Sequence, residues 1–597
     1  MAVTSSIDIN NPKQSISSCF KMTHYVVPQF QREYVWEKDE VNQLLDDLLI
    51  AFYADREKEY FLGTTVVFRS GDDTLQLIDG QQRMTTFFLI LCAIAKRYEK
   101  EHATADSFKN LIYTSTTDAD GNDQTSFTLE LQYEESTDCL AAIWENRIPE
   151  DTKKLPGSSQ RIYNAYSEIV LKLDQSFGTF DEYKKFAAYF INRVVFIQIG
   201  ATNLPDALKI FETINQRGKG LNPMDLLKNL LFMHASKEVF DALNKEWKGM
   251  ISKLETMDEK PLRFLRYYLT ATYDISDSKP DYQGILDEDK IYKWLDANDA
   301  KCHYKADPMG FTKNMIDGLT RYEQFLSPSD AVTGREYLLD IRALMGRSYK
   351  LHLVPLLAST QLEDDLRASF YKAIETVVYY SVVNNIKSNV IERLFSSWCP
   401  LIRAIRDKND LNAFFSSNIT PTLNNWNRAY RQNFLNLSLA TMQKYKIRTI
   451  LARIHKYVDA YRAGGSDDAI ITEYLKNEIE HIMPQTCDDI GRYGFDSQEE
   501  YDIAKERIGN LTLFEKTLNV LASNSPYAAK CEKYEGSSLY LTKSISKLSG
   551  ITGNNALARM DQKLRCWTDW SQSSIIERQE MLCDLSKEVW PIPETTN

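Results

Sequence analysis

Strand-forming runs occupy the two ends of this chain and fade between residues 236 and 460, so no single continuous sheet can organise it. A length of 597 residues exceeds what one core can serve, and a hydrophobic content of 43% is enough to fill two or three. Near the N-terminus, residues 60–68 (YFLGTTVVF) and 74–78 (TLQLI) flank Ser70-Gly71-Asp72-Asp73, which predicts a hairpin. Residues 194–199 (VVFIQI) predict a further strand, and residues 37–56 and 84–98 predict helices. An α/β or α+β domain over 1–235 follows. Residues 261–272, 336–360 and 364–383 carry helical periodicity with aromatic faces, predicting an all-helical middle over 236–462. The small and polar run Ala463-Gly464-Gly465-Ser466-Asp467-Asp468 predicts a linker and a last domain over 463–597. The expected class is therefore multidomain α+β and predominantly helical.

Bulk chemistry narrows the function classes. No run of eighteen apolar residues occurs and the first residues lack a basic-then-apolar order, so a cytoplasmic protein is expected, with no membrane partner. Nine cysteines without a CxxC pair argue against a disulfide framework and a treble-clef zinc site. A net charge of −12 does not suit a protein that coats DNA with its whole surface, because phosphate contacts need local positive potential. A DNA substrate would require a confined basic groove or a conformational change before it is gripped.

Ile78-Asp79-Gly80-Gln81-Gln82-Arg83 lies where a strand ends and a buried helix begins. Backbone N–H groups at such a helix start can hold a phosphate, and Arg83 adds charge. The plainer alternative is a strand-to-helix turn with a solvated arginine. Upstream, residues 27–36 (VPQFQREYVW) put Arg32 among aromatic residues; Tyr34 and Trp36 suit either base stacking or a core. Downstream, residues 211–223 (FETINQRGKGLNP) form a basic, glycine-containing connection with Asn222 suited to an N-cap and Pro223 to the first helical position. The segments PQFQREYVW, LIDGQQRMTT and FETINQRGKGLNPMDLLKN, in that order, resemble the ParB/sulfiredoxin-like domain at the N-terminus of GmrSD proteins and related phage-defence enzymes, over about residues 15–235. That resemblance implies nucleoside triphosphate binding and hydrolysis by Asp79, Gly80, Gln81, Gln82 and Arg83, with Gln31 and Arg32 matching a QR element. No GxxxxGK[ST] motif is present, which argues against a P-loop ATPase.

The second constellation is Glu478-Ile479-Glu480-His481-Ile482-Met483-Pro484-Gln485. A one-metal nuclease needs a histidine to activate water beside an acid that holds a divalent ion on the phosphate. An isolated Glu-His pair is usually an ordinary surface feature, but this one has company. Residues 507–514 predict a second strand and 515–522 a helix carrying Asn519, the order of a ββα-metal finger, which would bring Glu480 and Asn519 to one ion and leave His481 as base. EIEHIMPQ, RIGNLTLFEKTLN and ASNSPYAAKCEKYEGSSLYLTK resemble the HNH-like domain at the C-terminus of GmrSD proteins, with a final helix over 574–590. The resemblance implies His481 as catalytic base, Asn510 orienting it or its loop, Glu480, Asn519 and Asn524 at a metal, and Lys530 on DNA phosphate. Without paired cysteines the finger must be held by packing, with Tyr527, Tyr534 and Tyr540 as candidates; Lys516, Lys530, Lys533, Lys543 and Lys547 supply positive charge nearby.

Together these features imply an NTP-dependent, modification-dependent endonuclease of type IV restriction, acting in phage defence on double-stranded DNA such as glucosylated hydroxymethylcytosine DNA. Magnesium or manganese and a nucleoside triphosphate are the implied cofactors, and a homodimer is compatible with the sequence. Three rivals stand beside this reading. One is a sensor of phosphorothioate or another mark whose nuclease nicks DNA; another is a nucleotide-switched ParB-like scaffold with an inert HNH finger; the last is a general small-molecule NTPase.

Overall fold

The computed structural model describes residues 7–8, 13–21, 23–28, 30–69, 74–117, 123–132, 136–155, 157–202, 204, 206–207, 210–211, 223–275, 284–346, 349–464, 469–553 and 555–594. The chain is mostly helical and divides into two compact units, Met1–Gly249 with His303–Thr312, and Met250–Cys302 with Lys313–Asn597. No helix among the described residues is long and apolar enough to cross a membrane.

The first unit is built on a mixed seven-stranded sheet of β1 (Ile7–Asp8), β2 (Lys13–Ser15), β3 (His24–Val27), β4 (Tyr60–Arg69), β5 (Thr74–Asp79), β8 (Leu129–Leu131) and β9 (Val194–Ala201). A separate hairpin pairs β6 (Tyr113–Thr117) with β7 (Asp123–Phe127). The path across the sheet is β1, β9, β4, β5, β3, β8, with β2 also on β9. β4 and β5 are antiparallel, as the sequence pattern predicts, and a register shift at Val66/Val67 bends the pair. β9 runs parallel to β4 at the centre. Helices α1 (Lys38–Ala54), α2 (Gln81–Lys100), α3 (Gly157–Ser176) and α4 (Phe180–Arg193) supply one continuous core with the sheet, including Leu45, Phe52, Phe87, Ile90, Ile169, Phe190 and Phe196. The first turn of α1 carries Asp39 and Glu40, and Glu40 reaches back to the Glu37 N–H to close a capping box. α5 (Pro223–His234) follows later in the same unit. The 212–222 part of the glycine-containing connection lies outside the described residues.

Among its described residues the second unit is mostly helical, with one antiparallel strand pair, β10 (Glu478–His481) with β11 (Leu511–Phe514), in which Glu480 faces Thr512 and His481 faces Leu511. The spacer expected over 236–462 and the domain expected over 463–597 share this unit from Met250 onward, apart from His303–Thr312. α6 (Lys444–Arg462) shows why: its buried His455 lies 3.3 Å from both Thr512 Oγ1 and the Leu513 N–H, which ties it to β11. A polar run at 463–468 therefore separates two segments that pack together. The second strand is shorter than expected, because Ile508–Asn510 form a 3-10 turn before β11 begins. α7 (Lys516–Ala522) and α8 (Tyr527–Glu535) follow β11, and α9 (Gln572–Val589) is started by a Ser571–Ser574 capping box. Tyr527, Tyr534 and Tyr540 are all buried, in keeping with the expected packing role.

Candidate functional site

In the first unit, the segments PQFQREYVW and LIDGQQRMTT meet around one cavity of about 210 Å³. Its lining includes Gln31, Arg32, Asp79, Gly80, Gln81, Gln82 and Arg83, all seven residues expected at a nucleotide site, together with Trp36, Lys228 and Asn229. β5 ends at Asp79, Gly80 turns the chain in the left-handed region at φ +91°, and α2 begins at Gln81. Only glycine fits there, since a Cβ would lie 2.6 Å from Thr65 Cγ2. The first helical N–H to find an intrahelical acceptor is that of Met84, which donates to the Gly80 carbonyl, and Gly80 offers no side-chain cap. The amides of the first turn thus face the cavity end of α2.

The side chains divide into builders and linings. Gln82 is buried and clamps the upstream segment, its amide donating to the Glu33 carbonyl at 2.9 Å and accepting from the Val35 N–H at 2.8 Å. Tyr34 is a core residue, 1% exposed and hydrogen-bonded to Thr86 at 2.9 Å, which removes it as a base platform; Trp36 remains half-buried at the cavity wall. Arg83 is not the solvated charge of the plain reading. Its guanidinium donates to the Leu62 carbonyl and, at 2.6 Å, to the Thr64 carbonyl of β4. Burial pushes the Asp79 carboxyl up while the Arg83 guanidinium pulls it back, and burial likewise lowers Arg83.

In the second unit, Glu480 and His481 are neighbours on β10 and so project from opposite faces of the strand. Glu480, 5% exposed, accepts from Lys530 Nζ at 2.7 Å and Tyr534 OH at 2.9 Å. Burial raises the Glu480 carboxyl and lowers the Lys530 ammonium, and each partially restores the other. Lys530, expected on DNA phosphate, is 1% exposed, and its Nζ also donates to the His481 carbonyl at 2.6 Å. It is a buried countercharge, placed there because α8 packs over β10 with Tyr534 and Lys530 on its inner side, spaced i, i+4.

The expected metal donors Glu480, Asn519 and Asn524 are each engaged within the protein. Asn519 donates to Glu478 at 3.0 Å, two residues along β10 from Glu480, and Asn524 brackets the loop after His481 by accepting from the Gln485 N–H at 2.8 Å and donating to the Thr486 carbonyl at 2.9 Å. Among the described residues no three His, Cys, Asp or Glu side chains converge as metal ligands. Glu480, Asn519 and Asn524 each hold a protein partner in this arrangement: Lys530 and Tyr534 for Glu480, Glu478 for Asn519, and the Gln485–Thr486 backbone for Asn524.

His481, the residue expected as catalytic base, is mostly buried, with its Nε2 sealed from solvent. Its side chain is 11% exposed, Nδ1 lies 3.1 Å from the Gln485 side-chain nitrogen, and Nε2 has no hydrogen bond and stands 3.8 Å from a Glu506 carboxylate oxygen. Burial, followed by the charges of Lys530, Lys444 and Lys505, lowers its pKa to about 4, so the imidazole is neutral at pH 7 and able to accept a proton. With the Gln485 nitrogen donating, the ring proton sits on Nε2; a half-turn of that amide exchanges the tautomers.

Asn510 is completely buried and fixes the loop that follows His481. Its side chain accepts from the Met483 N–H at 2.8 Å and the Trp570 indole at 2.9 Å, and donates to the Lys505 carbonyl at 2.9 Å. Arg578, reaching from α9, donates to the Gly509 and Leu511 carbonyls at 2.9 and 2.7 Å. Lys228, Asn229, Gln485, Glu506, Trp570 and Arg578 were not singled out by sequence reasoning. Lys228 and Asn229 end the motif NPMDLLKN and Gln485 ends EHIMPQ, but nothing in the sequence says that Trp570 or Arg578 folds back sixty residues or more.

Residues 11–232 match the GmrSD restriction endonuclease N-terminal domain, and residues 426–585 match the GmrSD restriction endonucleases C-terminal domain. The chain belongs to the GmrSD restriction endonucleases. No curated protein matches it. Membership makes it a type IV restriction endonuclease with DNA as its partner. Each GmrSD match encloses one of the two sites, and the C-terminal one begins at residue 426, taking in α6 and its His455 contact with β11.

Proposed function

We propose that this restriction endonuclease binds a nucleoside triphosphate at the cavity beneath Gly80 and hydrolyses modified DNA at His481. The observation that carries the reading is the convergence of Gln31, Arg32 and the whole Asp79–Arg83 segment on one cavity at an uncapped helix N-terminus. A chain that only cut DNA would have no need of such an anion seat. At the other site, His481 accepts a proton from the attacking water, and Asn510 and Asn524 hold the loop that sets its position. The resemblance to GmrSD proteins supports glucosylated hydroxymethylcytosine DNA as the substrate class.

The test compares wild type with His481→Ala on glucosylated phage DNA and on unmodified DNA, with magnesium or manganese and each nucleoside triphosphate in turn. Cutting of the modified DNA alone, dependent on a nucleotide and lost in the variant, is the expected result. Cutting confined to unmodified DNA would replace modification dependence with recognition of a protective host mark. No cutting of either would leave a nucleotide-switched scaffold.

A further inference from the structure

The cavity beneath Gly80 contains more charge than its two recognised segments supply, and the two side chains that look most like phosphate ligands are committed elsewhere. Both heads of the Gln82 amide bind backbone at Glu33 and Val35, and the Arg83 guanidinium binds the Leu62 and Thr64 carbonyls. Gly63 makes room for that arginine: its backbone is left-handed at φ +92°, and a Cβ would stand 3.0 Å from Arg83 Nη1. These residues form wall.

What faces the space is different. Gln31 is 8% exposed, lines the cavity, and its Nε2 has no hydrogen-bond partner in the structure. A buried amide donor left unmatched costs about 1–3 kcal/mol, so an acceptor is expected to meet it. Lys228 and Asn229 line the same cavity from α5. Their helix is held against the upstream segment by aromatic contacts, with Phe30 5.8 Å from Phe232 and 5.2 Å from Phe240, centroid to centroid. Phe232 lies one turn beyond Lys228 and carries its ammonium 5.6 Å from the ring centroid. The N–H groups of the first turn of α2 complete the lining.

A volume of about 210 Å³ falls below the ~300–1,000 Å³ of sites that enclose a whole small molecule. An uncapped helix start, a lysine and two amides suit the phosphate end of a nucleotide. Resting on the nucleotide reading given above, we propose that Gln31, Lys228 and Asn229 are the phosphate-facing ligands of the bound nucleoside triphosphate, and that Gln82 and Arg83 build the wall on which they converge.

The experiment is isothermal titration of the full chain with inorganic triphosphate and with each nucleoside triphosphate, for wild type, Lys228→Met, Gln31→Leu and Arg83→Lys, each checked by thermal unfolding. Lys228→Met is expected to weaken both ligand types at least tenfold, and Gln31→Leu severalfold, with unfolding midpoints unmoved. Arg83→Lys is expected to lower the midpoint of the first unit. Wild-type affinity in both Lys228→Met and Gln31→Leu, or lost affinity in Arg83→Lys with an unmoved midpoint, would overturn the assignment. Failure of the wild type to bind any of these ligands would instead overturn the nucleotide reading itself. If Lys228→Met does not fold, Lys228→Gln, which keeps the stem and removes the charge, carries the same expectation.

Discussion

Lys530→Ala separates a structural lysine from a DNA-binding one. Lys530 is 1% exposed and Glu480 5% exposed; their ion pair of 2.7 Å is shared with the Tyr534 hydroxyl and the His481 carbonyl. Removing one partner of a buried pair costs about 3–5 kcal/mol, because the other charge is left without compensation. Opening of β10 should then become easier by a factor of about a hundred to a few thousand. Hydrogen exchange followed by mass spectrometry on peptides spanning 478–483 and 511–514 reads that factor locally in the full chain. The loss should be greater at pH 8 than at pH 5. Without Lys530, burial pushes the Glu480 carboxyl further up from its already raised position, so protonation rescues it at low pH and stability declines as pH rises through the folded-state value. A phosphate-binding lysine would behave otherwise: exchange would be unchanged, DNA affinity would fall, and the slope of log affinity against log salt would shrink by about one. That pattern would refute the assignment of Lys530 to the interior.

His481→Ala should reduce cleavage by about a hundred- to ten-thousand-fold, the usual worth of a general base; initial-rate assays on modified DNA, below the variant's own unfolding midpoint, check it. The His481 ring should titrate near pH 4 by NMR in the free protein, and Lys505→Ala should move that midpoint upward, since the Lys505 charge is one of its causes. Because unfolded histidine titrates near 6.5, this group contributes its full stability above that pH and loses it as pH falls toward 4, on the order of 3 kcal/mol in all. Gly80→Ala combines a left-handed backbone with a contact to Thr65 and should destabilise the first unit by about 2 kcal/mol or more, read by thermal unfolding.

Local pattern carried the reading wherever a feature was local. The β4–β5 hairpin, the central strand β9, α1 and α2 and the β10, β11, α7 order follow from alternation, turn residues and helical periodicity over a few residues. The short strands β1, β2, β3 and β8 were not legible, since two to four residues do not establish a period. The cavity beneath Gly80 was legible as a set of residues, because two of its walls are contiguous motifs, but the roles inside it were not. Whether Arg83 faces a ligand or the β4 backbone depends on the fold of Leu62–Thr64, nineteen or more residues away. The same holds for Lys530 and Glu480, whose sequence motifs suggest ligands and whose packing makes them a sealed pair. Charge in a motif indicates that a side chain has a partner; only tertiary structure says whether that partner is inside the protein.

The grip of Arg578 on the Gly509 and Leu511 carbonyls, with Gly509 so close to α9 that a Cβ would meet the Ile575 carbonyl at 2.2 Å, has a temporal consequence. During synthesis His481 emerges nearly a hundred residues before the helix that braces its loop. Until Arg578 and Trp570 arrive, Asn510 lacks its indole partner and β11 its anchor, so a nascent or prematurely terminated chain has His481 without the scaffold that fixes its loop.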